Sequence, residues 1–188
     1  MARILGINGI RTDGSTSTDI LLRNLRRRGH VCHDINYPKV NAFQARSRSR
    51  QRYNAGFLLD EHNHKDILIA HSYGCLLGLR AMEMGALFSH VFFFAPAMNR
   101  DFTFPHHGMD NLTVICNFTD QAIKWGARLW FGHDFGKMGS HGYDGPPDNR
   151  IENTMDNSGD EGERNHSHYF FEHNIDRWAN YIEQKIGV

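Results

Sequence analysis

One serine in this chain stands where a hydroxyl could be made reactive. Ser72 lies in Asp66-Ile67-Leu68-Ile69-Ala70-His71-Ser72-Tyr73-Gly74-Cys75-Leu76-Leu77-Gly78-Leu79. A compact apolar run, Ile67 to Ala70, ends just before it, and a helix-like apolar pattern follows at once. That order predicts a buried strand, a sharp turn and a helix. Ala70 and Gly74 supply the small side chains that a strained turn and a close strand–helix crossing require. A serine hydroxyl is a poor nucleophile until a base removes its proton, so the chemistry also needs a histidine and, in most cases, a carboxylate. The plainer reading of the stretch is a βα turn with serine as helix N-cap.

The stretch resembles the nucleophile elbow of the α/β-hydrolase superfamily, with Ala70 in place of the common glycine. The resemblance implies an acid and then a base after the serine, each on a loop beyond a strand's carboxyl end. Asp120 follows the apolar run Leu112-Thr113-Val114-Ile115-Cys116-Asn117-Phe118 by two residues. His166 lies in Asn165-His166-Ser167-His168-Tyr169-Phe170-Phe171, similar to a His-Ser-x-Tyr/Phe-Phe ending in which the first histidine is the base. Asp101 and Asp110 compete with Asp120, which could instead cap a helix starting at Gln121. His168 competes with His166; with His166 as base, Ser167 is expected to cap the final helix and His168 to point outward or line the pocket.

The same resemblance implies an oxyanion hole of two backbone amides: Tyr73, and Ile10 on the loop after the first strand, with Arg11 in reserve. Asn8-Gly9-Ile10 keeps the glycine of the His-Gly-x found in many relatives. Asn8, Gly9 and His71 are expected to border the substrate. The implied activity is a serine hydrolase, esterase-like and without a cap domain, working through an acyl-enzyme. No cofactor is implied, and the partner is a small-molecule or acyl-ester substrate.

Strand and helix signals alternate along the chain around these residues. Strands are expected at Ile4–Ile7, Val31–Tyr37, Ile67–Ala70, Leu87–Ala95, Leu112–Phe118 and, more weakly, Arg150–Asn157. Helices are expected from about Ser15 to Arg28, within Val40–Lys65, after Ser72 to Met84, over Gln121–Phe131 and from His168 to Ile186. Alternation of this kind predicts an α/β fold, a doubly wound, mostly parallel sheet with helices on both faces. The resemblance implies the strand order 2-1-3-4-5-6. The 188 residues fit one domain spanning 1–188.

Lysine plus arginine equals aspartate plus glutamate at 21 each, which gives no global reason to expect a nucleic acid or an anionic membrane as partner. Locally the charge is uneven: Arg46, Arg48, Arg50 and Arg52 and the Arg26–Arg28 cluster are basic, and 156–163 is acidic. A solvated helix face is the commoner explanation, and a non-catalytic protein using that face for an anionic partner is the alternative to the enzyme. The chain has 13 histidines, yet His62-x-His64, His106-His107 and His133-Asp134 match no spaced metal set, so no metal is expected. Three scattered cysteines, Cys32, Cys75 and Cys116, read as buried thiols. With neither a signal-like segment nor a membrane-length apolar run, a soluble, cytoplasmic protein is expected. The loops Phe102–Met109 and Phe131–Tyr143 are expected to form an aromatic rim, and the oligomeric state stays open.

Overall fold

Apolar runs that continue without polar interruption, such as Ile67–Ala70 and Val91–Phe94, suit strands covered on both faces. The computed structural model describes residues 1–10, 18–123, 134–156 and 166–188 and places those runs accordingly. Its elements are β1 (Arg3–Ile7), α1 (Thr18–Arg27), β2 (Val31–Ile35), α2 (Ala42–Arg46), α3 (Arg48–Glu61), β3 (Asp66–His71) and α4 (Tyr73–Glu83). There follow β4 (Phe88–Phe94), β5 (Met109–Cys116), the short α5 (Met138–His141), β6 (Ile151–Met155), a 3-10 turn (His168–Phe170) and α6 (Glu172–Ile186). The six strands form one sheet in the order β2-β1-β3-β4-β5-β6, every pairing parallel. The expected fold class and strand order both hold.

Side chains alternate between two apolar layers. Leu5, Ile7, Leu68, Ala70, Val91 and Phe93 face the layer that contains Ala55 and Leu58 of α3 and Leu76 and Leu79 of α4. Ile4, Ile67, Ile69, Phe92 and Phe94 face Leu21, Leu22 and Leu25 of α1 and Ile175, Trp178 and Ile182 of α6. Ion pairs tie the end of α1 to α6 at the rim: Arg28, the residue just after α1, reaches Asp176 at 2.8 Å and Glu183 at 2.9 Å. Inside the other layer, Arg80 of α4 is fully buried and bonds Gln51 at 2.9 Å, Glu83 at 2.6 Å and Asp134. All three cysteines are buried and free, and burial pushes the Cys32 and Cys116 thiols up to about 11.

Three expectations need correction. β5 begins at Met109 rather than Leu112, because Met109 and Asn111 extend the ladder beside β4 while exposed Asp110 and Asn111 interrupt the apolar signal. The last helix begins at Glu172, not His168; residues 168–170 make a tight 3-10 turn and Phe171 takes extended backbone. Phe104 does not stand on an aromatic rim: it is 5% exposed and packs 6.2 Å from the Phe93 ring. Among the described residues no helix is long and apolar enough to cross a membrane.

Candidate active site

Parallel strands put all their carboxyl ends on one edge of the sheet, and the loops there carry the chemistry-bearing residues. β3 delivers Ser72 to that edge with φ +54° and ψ −119°, a backbone region that side chains other than glycine rarely adopt. Surrounding bonds hold it there. Its amide donates to the Phe94 carbonyl at 3.0 Å, and its own carbonyl accepts from Ala97 and Cys75, each at 3.2 Å. Gly74 lets α4 cross β1 at backbone contact: a Cβ there would lie 2.5 Å from the Ile7 carbonyl oxygen.

The loop after β1 runs along the serine. A Cβ on Gly9 would sit 2.9 Å from Ser72 Cβ and 3.3 Å from its Oγ. Tyr37 fixes this loop from the far side, its hydroxyl 2.9 Å from the Asn8 carbonyl and 2.8 Å from that of Gly9. Burial, with Tyr73 close by, pushes the Tyr37 phenol far up, so it stays neutral and able to donate. Asn8 commits its side chain elsewhere: Oδ1 accepts from the Thr18 amide at 2.8 Å and hydroxyl at 2.7 Å at the start of α1. Gly9, one of the three residues expected to border the substrate, lies alongside the Ser72 side chain. Tyr73 opens α4, where the first amides have no acceptor inside the helix. Ile10 follows Gly9 and packs partly buried against the core; Arg11 lies outside the described residues.

Beyond β5, Asn117 folds the chain into a turn by accepting from the Thr119 amide at 2.8 Å and hydroxyl at 2.7 Å. Asp120 comes next and is 2% exposed. Its Oδ1 accepts from the Ile123 amide at 3.0 Å, while Oδ2 lies 2.6 Å from His166 Nδ1. Capping and pairing with histidine are therefore both true of this one carboxylate. An ionised carboxylate only accepts, so Nδ1 is the donor in this contact and Nε2 is turned away from the carboxylate. Asp101 and Asp110 are both exposed.

His71 touches the imidazole rather than the solvent. It is 1% exposed, its ring centroid is 4.7 Å from that of His166, and its Nε2–H donates to the His166 carbonyl at 3.2 Å. Burial first, then the neighbouring His166, holds its pKa well below the usual histidine range. His168, expected to point outward or line the pocket, is instead 2% exposed and paired with Asp156 at 2.8 Å. Ser167 makes no capping hydrogen bond through its side chain. Tyr37, Asn117 and Asp156 were not singled out from sequence; only the Asn117-x-Thr119 spacing carries a local signal, that of a side-chain-closed turn.

The arginine series does not make one face. A spacing of two turns successive residues about 200° around a helix, so Arg48 and Arg52 lie on one flank of α3 and Arg50 on the other. Arg46 stacks over Phe43 at 5.8 Å and Arg50 over Tyr53 at 5.1 Å. Of the histidine pairs, His62 bonds the Leu59 carbonyl at 2.8 Å; His133 lies outside the described residues, and its neighbour Asp134 pairs with Arg80. No group of three metal-binding side chains occurs among the described residues.

No protein-family model matches the sequence, and no curated protein matches it. Solved structures do. Alpha/beta hydrolase domain-containing protein 10 from mouse is similar with a TM-score of 0.65 and 12% identity, over 98% of this chain and 89% of that one. The pyrethroid hydrolase PytH is similar with a TM-score of 0.52 and 12% identity, over 100% of both chains. At such identities the likeness is one of fold.

Proposed function

We propose that this chain, which has the α/β-hydrolase fold, is a serine hydrolase that cleaves an ester or related acyl bond. One observation carries the reading: His166 Nδ1 lies 2.6 Å from the buried Asp120 carboxylate on the sheet edge that presents Ser72. In this reading His166 Nε2 takes the Ser72 proton as Oγ attacks the substrate carbonyl carbon. The carbonyl π electrons move onto oxygen, where the Tyr73 and Ile10 amides receive the charge. Asp120 steadies the imidazolium without taking its proton. Collapse of the tetrahedral intermediate expels the alcohol, which leaves with the proton from Nε2. Water then repeats the sequence on the acyl-enzyme, releasing the acid and restoring Ser72.

Every step draws on side chains and backbone amides of the chain, so the reading requires no cofactor. The substrate class is a small acyl ester; an amide, thioester or alternative acyl acceptor would use the same groups. Steady-state hydrolysis of short p-nitrophenyl esters tests the proposal. Wild type is expected to turn them over and Ser72→Ala to fall to background; a folded Ser72→Ala variant with full activity would refute it.

A further inference from the structure

A second aspartate–histidine pair lies beside the proposed triad, and the reaction does not use it. His168 is 2% exposed and Asp156 3%. His168 Nε2 is 2.8 Å from Asp156 Oδ2, and Arg177 of α6 holds Oδ1 at 3.1 Å. A carboxylate this far from water keeps its charge only when its oxygens have partners, and these two side chains supply them.

Three segments meet at His168, two at its ring and one at its carbonyl. Asp156 directly follows β6 and is fixed to β5, its amide donating to the Cys116 carbonyl at 2.8 Å. Asn117, which folds the turn that presents Asp120, brings Nδ2 within 3.4 Å of His168 Nε2. That nitrogen's proton is already donated to Asp156, so the approach is a packing contact and not a second hydrogen bond. The His168 carbonyl accepts from Asn174 of α6 at 2.8 Å. His166 stands two residues before this anchor, too few peptide units to absorb a shift.

We propose that His168, held by Asp156, is a positioning residue that locks the turn carrying His166 onto the turn carrying Asp120. Its functional meaning rests on the serine-hydrolase reading above; its geometric meaning does not. A misplacement of about 1 Å in a catalytic group costs on the order of a hundredfold in rate. The base therefore needs an anchor that does not give. A rigid ring with its N–H on a buried carboxylate provides one, and glutamine can imitate that donor whereas phenylalanine cannot.

The test compares His168→Phe, His168→Gln and Asp156→Ala with wild type in two readouts. In p-nitrophenyl acetate hydrolysis, His168→Phe is expected to lose about thirtyfold or more in kcat with KM changed less than about twofold, and His168→Gln to stay within about threefold of wild type. In long-range proton–nitrogen NMR of labelled protein, His166 is expected as the Nδ1–H tautomer in wild type and His168→Gln, and as a tautomer mixture in His168→Phe. A folded His168→Phe with wild-type kcat and an unchanged His166 spectrum overturns the proposal. Should that variant fail to fold, Asp156→Ala decides by the same two readouts, wild-type values again overturning it. If wild type turns over no ester, the hydrolase reading fails, and the NMR comparison alone settles the clamp.

Discussion

A serine held at φ +54° needs surroundings that outweigh its strain, and at Ser72 these are backbone bonds to Phe94, Ala97 and Cys75. The same closeness makes Gly74 irreplaceable. Gly74→Ala would drive a Cβ into the Ile7 carbonyl and is expected to cost roughly 1–3 kcal/mol of stability and to abolish ester hydrolysis, read by urea unfolding and turnover. Asp120→Asn keeps the shape of the site but allows the wrong imidazole tautomer. Its kcat is expected to drop about 10³–10⁴-fold, with the fold unchanged by circular dichroism. His71 gives a pH signature. Its folded pKa lies well below the ordinary value of 6.5, mainly through burial. Between those two values the unfolded chain binds more protons than the folded one, so stability is full above the ordinary value and falls as the pH drops below it. Urea unfolding across that range is expected to show a loss of up to about 1.4 kcal/mol per pH unit from this group, which His71→Phe removes.

At the scale of elements, α4 carries more than the serine. Arg80 is fully buried and bonds α3, its own helix and Asp134. Arg80→Ala would strand Asp134 and Gln51 beside an emptied space, a loss of about 3–5 kcal/mol. At this chain length that corresponds to a fall in Tm on the order of 10 °C, measurable by calorimetry. Elements whose polarity follows their burial were legible in the sequence: the runs Ile67–Ala70 of β3 and Val91–Phe94 of β4 are apolar because helices cover both faces. The start of β5 was not, since Asp110 and Asn111 are exposed and polar while the ladder to β4 already runs through Met109 and Asn111. The start of α6 was not either. Its apolar pattern continues back through Tyr169 and Phe170, which are buried on a 3-10 turn rather than on the helix. The elbow, Asp120 and His166 could be read as candidates because the resemblance places the acid after an apolar run and the base just before the last one. The His168–Asp156 pair could not, because what joins it is where β6 ends in space.

Across the whole molecule, acidic and basic residues are equal in number, and the longest alternating arginine series, Arg46 to Arg52, suggested an anionic partner. The fold divides that series between the end of α2, which carries Arg46, and two flanks of α3, with Arg46 and Arg50 stacked on Phe43 and Tyr53. Alanine at Arg46, Arg48, Arg50 and Arg52 together is accordingly expected to leave ester turnover within about twofold of wild type. Retention of wild type on an oligonucleotide column should be as weak as that of the variant. The sheet, by contrast, brings loops from β1, β3 and β5 and the turn before α6 to a single edge. Whether that edge holds a working nucleophile is read most directly by reaction with a fluorophosphonate, followed by mass-spectrometric mapping of the adduct. The account predicts one adduct, on Ser72, formed by wild type and strongly slowed in His166→Ala and Asp120→Asn. A folded wild-type protein that leaves Ser72 unlabelled, or a His166→Ala variant that labels at the wild-type rate, would contradict it.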